Sequence, residues 1–244
     1  LMARESQPDC GDYRLLRRDA AARALYFQED GEAKPVGEIL RNPEFAATLR
    51  GIATGGAAAL HGGELAGRVA AVTGQRGGTL TVADMRDYES RQREAVCGPY
   101  RRWRICGMPP PSSGGIGVLQ LLGLLERTGA PSGDPATADS AHLFAEAGKL
   151  TYADRARYLA DPDFVSVPQR ALLAPEYLER RARVIDPRRS IGIAAPGELP
   201  QRHSQADDDA PELPATTHVS IVDRAGNAVA LTSSIESAFG SRIQ

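Results

Sequence analysis

Two hydrophobic periods run along this chain, one near 3.6 residues and one of 2, and the change between them separates helices from strands. DAAARALYF, residues 19–27, has helix-forming composition and stops at Asp30-Gly31, where glycine accepts the left-handed conformation of a helix end. Asn42-Pro43-Glu44 reads as a cap, a first-turn proline and a first-turn acid. Phe45, Leu49 and Ile52 then recur at helical spacing up to Gly55-Gly56. Leu65, Val69 and Val72 mark another amphipathic helix. Beyond Gly77-Gly78, Thr81 and Asp84 have the spacing of a capping box ahead of a short helix reaching Tyr88.

Between Glu94 and Cys106 the composition shifts. Val96, Tyr100, Trp103 and Ile105 raise β-propensity around Gly98-Pro99, which predicts a hairpin turning there, with Trp103 in the core. MPPPSSGG cannot continue a ladder, and Ser113 is placed to cap an apolar helix through Ile116, Leu119, Leu122 and Leu125. A long helix is expected over 140–159, with Pro162 beyond its end, and a further one from Pro175 through Arg183. Glu146, Lys149, Asp154 and Arg155 lie on the long helix at ion-pair spacings, and a structural network explains them better than catalysis. Residues 200–215, PQRHSQADDDAPELPA, are polar, acidic and proline-bearing, the composition of a mobile surface segment. Directly after it, THVSIVDRAGNAVALTSSI alternates apolar and polar residues on both sides of Asp223 to Asn227, predicting two strands joined by a Gly/Asn turn.

Composition narrows the function classes. The 244 residues permit one large domain or two small ones, and 42% hydrophobic with 25% charged residues is ordinary for a soluble globular protein. No apolar run approaches the length of a bilayer span. A net charge of −2 gives no global field for nucleic acid or an anionic membrane, so small molecules or peptides are the expected partners. None of the three cysteines sits in a CxxC pair, so neither a zinc site nor a disulfide framework is indicated. Cys97 and Cys106 flank the expected turn and could face each other across it, but two reduced, half-buried thiols are the simpler reading. The opening LMARESQPDC lacks the basic and apolar regions of a signal peptide.

The junction between the acidic segment and the strand carries the chemistry. A threonine hydroxyl is a poor nucleophile until a base removes its proton, and no Asp-His pair accompanies Thr216 in sequence. Cutting the Ala215-Thr216 peptide would free the α-amine of Thr216 within a few bonds of its own hydroxyl, where it can act as that base. A flexible segment ending on a rigid strand would let the hydroxyl attack the preceding carbonyl, an N-to-O acyl shift followed by hydrolysis. Ser112 and Ser113, by contrast, lack the G-x-S-x-G spacing of a nucleophile elbow.

TTHVSIVDRAGNAVALTSSIESAFGS resembles the start of the small subunit of gamma-glutamyltranspeptidases, and GGTLTVADMRDY, MPPPSSGG and EAGKLTYADRARYLADPDF resemble other blocks of that family, in the family's order. The resemblance implies an α+β fold, a four-layer αββα sandwich of the N-terminal-nucleophile hydrolase type, incomplete in this chain. It implies one composite domain, with residues 1–215 the C-terminal part of the large-subunit region and 216–244 the start of the small-subunit region. The family's nucleophile falls on Thr216, and the hydroxyl that orients it falls on Ser234, where the family usually has Thr. The contact to the substrate α-amino group falls on Glu236. Ala215, Thr216 and Thr217 form the self-cleavage site, with Thr217 supporting its geometry, and His218 is not assigned as a base. The implied substrates are γ-glutamyl small molecules such as glutathione, with an amino acid, peptide or water as acceptor, processed through an acyl-enzyme by a large- and small-subunit heterodimer. No cofactor or metal is implied. The family implies a periplasmic or secreted location, with the cytoplasm left open. The family's carboxylate-binding Arg and oxyanion-hole glycines fall outside these residues, so this segment alone is expected to be inactive. An acylase resembling cephalosporin acylases, and an inactive family member serving as a scaffold, are the alternatives.

Overall fold

The computed structural model describes residues 16–129, 135–199, 216–235 and Gly240. The chain divides into two units, Leu1–Ser90 with Pro211–Gln244, and Arg91–Ala210. The expected mobile segment 200–215 lies outside the described residues.

In the first unit three of the helices start where the sequence supplies a side-chain cap. Asp19 Oδ1 accepts hydrogen bonds from the Ala21 and Ala22 amides, both at 3.0 Å, and opens α1 (Ala20–Tyr26). Ala22 packs with Leu16 and Phe27 in a small buried cluster. Asn42 Oδ1 accepts from the Phe45 amide at 2.8 Å at the head of α2 (Pro43–Gly55). Short α3 (Ala57–His61), α4 (Glu64–Gln75) and α5 (Val82–Arg86) follow. The expected capping box is formed, with the Thr81 hydroxyl accepting from the Asp84 amide and the Asp84 carboxylate accepting from the Thr81 amide. This unit also holds the antiparallel pair β3 (Thr216–Val222) and β4 (Ala228–Ser234).

The second unit contains the principal core. Antiparallel strands β1 (Val96–Tyr100) and β2 (Trp103–Gly107) lead through the proline run into α6 (Gly114–Arg127). Then come α7 (Ala138–Tyr158), α8 (Gln169–Leu172) and α9 (Pro175–Ala182). Leu124, Leu143, Ala147, Leu150, Leu178, Ala182 and Ile185 form one buried cluster, and Ile116, Tyr158, Leu172 and Tyr177 a second. Glycines set how closely these elements approach. A Cβ on Gly107 would lie 2.6 Å from the Gly115 Cα, and one on Gly123 would lie 2.8 Å from a Leu178 methyl.

Four details correct the sequence reading. The β1–β2 turn is at Arg101-Arg102, with Arg101 at φ 51°, and Gly98 and Pro99 lie within β1. Pro99 is accommodated because a two-stranded sheet leaves each strand an outer edge. Trp103 is 57% exposed at the hairpin tip, where Arg102 stacks over its ring, so it is not core. Ser113 occupies the cap position of α6 without a side-chain cap bond, and its hydroxyl instead accepts from Arg155 Nε at 3.0 Å. Cys97 and Cys106 are disulfide-bonded rather than two reduced thiols. Moving the turn makes them directly paired residues, 4.1 Å apart at Cα, so the bridge closes across one rung of the ladder.

Candidate active site

The β3–β4 hairpin is held at its turn by Asp223. Its Oδ1 accepts from the Ala225 and Asn227 amides, and its Oδ2 accepts from the Asn227 side chain at 2.8 Å. The Asn227 side chain, followed by these amides, holds the Asp223 carboxyl below the usual carboxylate range. Gly226, at φ 84°, supplies the left-handed residue that this turn requires.

From that turn the register runs without a bulge to the pair Thr216↔Ser234. With a side-chain period of 2, Thr216, His218 and Ser220 share one face with Ser234 and Thr232, while Thr217, Val219 and Ile221 share the other with Ser233, Leu231 and Val229. On the polar face the Thr216 hydroxyl donates to Ser234 Oγ at 3.2 Å. One rung further in, His218 Nδ1 meets Thr232 Oγ1 at 2.7 Å, and its Nε2 meets Ser220 Oγ at 3.0 Å. Both imidazole nitrogens are therefore engaged with hydroxyls other than that of Thr216. The whole hairpin is exposed.

The two hydroxyls singled out in the sequence, eighteen residues apart, thus meet at one end of the hairpin. Thr217 is paired with Ser233 on the opposite face. Ala215 and Glu236 lie outside the described residues.

A family model for gamma-glutamyltranspeptidase matches residues 7–244. The chain belongs to the gamma-glutamyltranspeptidase family. It is 36% identical to the glutathione hydrolase proenzyme of Escherichia coli over 224 residues, covering 91% of this chain and 37% of that protein. It is 35% identical to the acylase ACY 1 proenzyme of a Pseudomonas species over 230 residues, covering 94% of this chain and 39% of the relative. Among solved structures, the gamma-glutamyltranspeptidase of Helicobacter pylori superposes with a TM-score of 0.68 at 29% identity, over 74% of this chain and 52% of that one. The chain therefore spans less than half the length of the two curated relatives.

A second polar constellation of this gamma-glutamyltranspeptidase-family chain is buried. Asp154, 1% exposed on α7, accepts from Gln120 Nε2, Tyr177 Oη, Arg181 Nη2 and the Gly197 amide, all at 2.7–2.9 Å. Burial first, and Asp154 beside it, push the Tyr177 phenol up, so it stays a neutral donor. Two turns earlier, buried Glu146 accepts from Lys149 at 2.6 Å and from the Ile191 amide at 2.8 Å. The helical spacing of Glu146, Lys149, Asp154 and Arg155 suggested a local network. In the fold Glu146 and Lys149 pair along the helix, while the Asp154 partners Gln120, Tyr177 and Arg181 come from α6 and α9. Gln120 stood out only as a polar residue in an apolar helix, and Tyr177 and Arg181, within the mostly polar PEYLERRA, carried no signal of this role.

Among the described residues, no helix is long and apolar enough to cross a membrane.

Proposed function

We propose that the protein carrying this chain is an autoprocessing threonine hydrolase and transferase of γ-glutamyl compounds, with Thr216 as its nucleophile. The observation that carries this reading is the Thr216–Ser234 hydroxyl pair at the first rung of an exposed hairpin, directly after the acidic segment. Ser234 Oγ fixes the rotamer of the Thr216 side chain by accepting its hydrogen bond, and strand pairing fixes the backbone beneath it.

In self-cleavage the Thr216 oxygen attacks the Ala215 carbonyl carbon. The C–N bond breaks, the Thr216 nitrogen takes the hydroxyl proton and becomes a free amine, and water hydrolyses the resulting ester to restore the hydroxyl. In turnover that amine accepts the hydroxyl proton while the oxygen attacks the γ-carbonyl of a donor such as glutathione, whose amine portion leaves carrying a proton. Water, an amino acid or a peptide then takes the γ-glutamyl group from the acyl-enzyme. His218 has no part in these steps, since both its nitrogens face other hydroxyls. Glu236 pairs with the substrate ammonium. Thr217, on the opposite hairpin face, supports the cleavage geometry through its rung with Ser233.

In this reading residues 1–215 end the large subunit and 216–244 begin the small one, within a four-layer αββα sandwich. The Cys97–Cys106 bridge supports a periplasmic or secreted location, because structural disulfides persist in oxidising compartments. The test is N-terminal sequencing of the small fragment from the protein that carries this chain. A terminus at Thr216, lost together with γ-glutamyl transfer in Thr216→Ala, is expected; a terminus elsewhere overturns the assignment. The 35% identity to an acylase proenzyme supports a second reading, the same nucleophile acting on another acyl donor. Processing at Thr216 combined with hydrolysis of an acyl amide but not of a γ-glutamyl anilide would favour it.

A further inference from the structure

The β1–β2 hairpin has two unlike faces. Val96, Gly98, Ile105 and Gly107 alternate with Cys97, Pro99, Arg104 and Cys106, so the disulfide shares its face with Arg104. The first face is seated on α6: a Cβ on Gly98 would lie 3.0 Å from a Leu119 methyl, and Gly107 abuts Gly115. The second face carries the bridge to solvent, with Cys106 exposed and Cys97 half-buried along the wall of a cavity of about 930 Å³ that Arg93, Pro109 and Arg170 also line.

We propose that this disulfide is a thiol-exchange site, at which Cys106 is reversibly S-thiolated by a small anionic thiol. Three observations carry the assignment. Thiol–disulfide exchange requires a thiolate to reach one sulfur in line with the other, and of the two residues Cys106 is the exposed one while Cys97 is half-buried. Arg104 lies two residues before Cys106 on the same strand face, roughly 7 Å away along the strand, and attracts an anionic attacker. The hairpin is also held independently of the bridge by five ladder pairs and by the close glycine packing on α6, so opening the bond leaves its seat intact.

The exchange balances in two steps. A thiolate RS⁻ attacks the Cys106 sulfur, the S–S bond breaks, and the Cys97 sulfur leaves as a thiolate that takes a proton from water. The product is a mixed disulfide on Cys106 and a free thiol on Cys97. A second RS⁻ then attacks the outer sulfur, releasing RSSR and leaving both cysteines reduced, with the two electrons supplied by the two thiols. Loss of RS⁻ by attack of the Cys97 thiolate on the adduct restores the bridge.

The test treats the oxidised protein with reduced glutathione as an anionic thiol and, separately, with cysteamine as a cationic one. Free thiols are then blocked and the adduct is mapped by peptide mass. One glutathionyl group on the Cys106 peptide, with Cys97 blocked as a free thiol and the far-ultraviolet circular dichroism unchanged, is the expected result. Arg104→Glu is expected to slow exchange with glutathione by about fivefold, and to leave the cysteamine rate unchanged or raised. An adduct on Cys97, two free thiols in the untreated protein, or equal effects of Arg104→Glu on both thiols would each overturn the proposal. The chemistry does not use Thr216, so Thr216→Ala is expected to exchange normally. Its failure and the failure of the proposed catalytic function are therefore separable.

Discussion

Asp154 and Thr216 both meet polar partners at hydrogen-bond distance, yet Asp154 is 1% exposed between helices and Thr216 stands on an exposed strand. Around Asp154 four donors converge on one carboxylate, and a side chain so enclosed is fixed in one position. Among the described residues Thr216 meets one hydroxyl, Ser234 Oγ at 3.2 Å, on an exposed strand, which leaves the oxygen of the proposed nucleophile open to approach. Burial makes the first constellation expensive to disturb, whereas exposure makes the second cheap to disturb and leaves it accessible for the proposed chemistry. Mutation should divide along the same line, with activity lost at the hairpin and stability lost at the helices.

The largest effect is expected at the proposed nucleophile. Thr216→Ala should leave the protein undivided and lower γ-glutamyl transfer by about 10⁴-fold or more, because removal of a covalent nucleophile alone accounts for losses of that order. Thr216→Ser keeps the hydroxyl and should retain slow self-division. Intact mass and a γ-glutamyl anilide assay read both, and persistent division of the Ala variant would move the nucleophile elsewhere. Its melting temperature should stay near that of the parent, since the side chain is exposed.

Asp154→Ala should behave in the opposite way. It leaves the Arg181 guanidinium, itself 7% exposed, buried without its carboxylate, and breaking such a pair costs about 3–5 kcal/mol. Urea denaturation measures this directly. Replacing both members, as Asp154→Leu with Arg181→Met, should recover much of the loss, and a double variant no more stable than the single one would show that the Gly197 and Tyr177 bonds dominate instead.

What could be read from the sequence follows the range of the forces involved. Local signals were legible: the Asn42 cap, the Thr81–Asp84 box and the Asp223–Asn227 turn all form as the spacing required. The Thr216–Ser234 pair came from the family resemblance alone, and the unbulged hairpin sets the two residues on one rung. Misplacing one turn by three residues had larger consequences. Centring it on Gly98-Pro99 left the pairing of the cysteines open and Trp103 read as core, whereas Arg101-Arg102 makes the cysteines directly paired neighbours and puts Trp103 at the tip. The Asp154 hub was illegible for a different reason, since Gln120, Tyr177 and Arg181 lie 23–34 residues away on other helices.

At the hairpin, Ser234→Ala sharpens the comparison further. The variant keeps the strand pair but removes the acceptor of the Thr216 hydroxyl, so self-division should slow by about tenfold with stability changed by less than about 0.5 kcal/mol. Ser234→Thr should restore the rate, since the hydroxyl returns on a side chain with a stiffer rotamer. An equal loss in both variants would assign the effect to packing.

The smallest effect is expected at Glu146 and appears only in acid. Burial on its own would raise this carboxyl, but the hydrogen bond and charge of Lys149, the Ile191 amide and Ser190 together outweigh it and hold the group below its ordinary value. A carboxyl depressed in the folded state stabilises that state at every pH above its unfolded value, and the contribution disappears as pH falls through the lower, folded one. Stability should therefore decline on acidification as the folded protein takes up this proton later than the unfolded chain. Glu146→Gln cannot titrate. It should be less stable than the parent near neutral pH, where Lys149 loses its charged partner, and the two should converge as the pH falls. Urea midpoints measured from neutral into the acid range test this, and parallel curves for the two proteins would show that Glu146 is not the source of the acid limb.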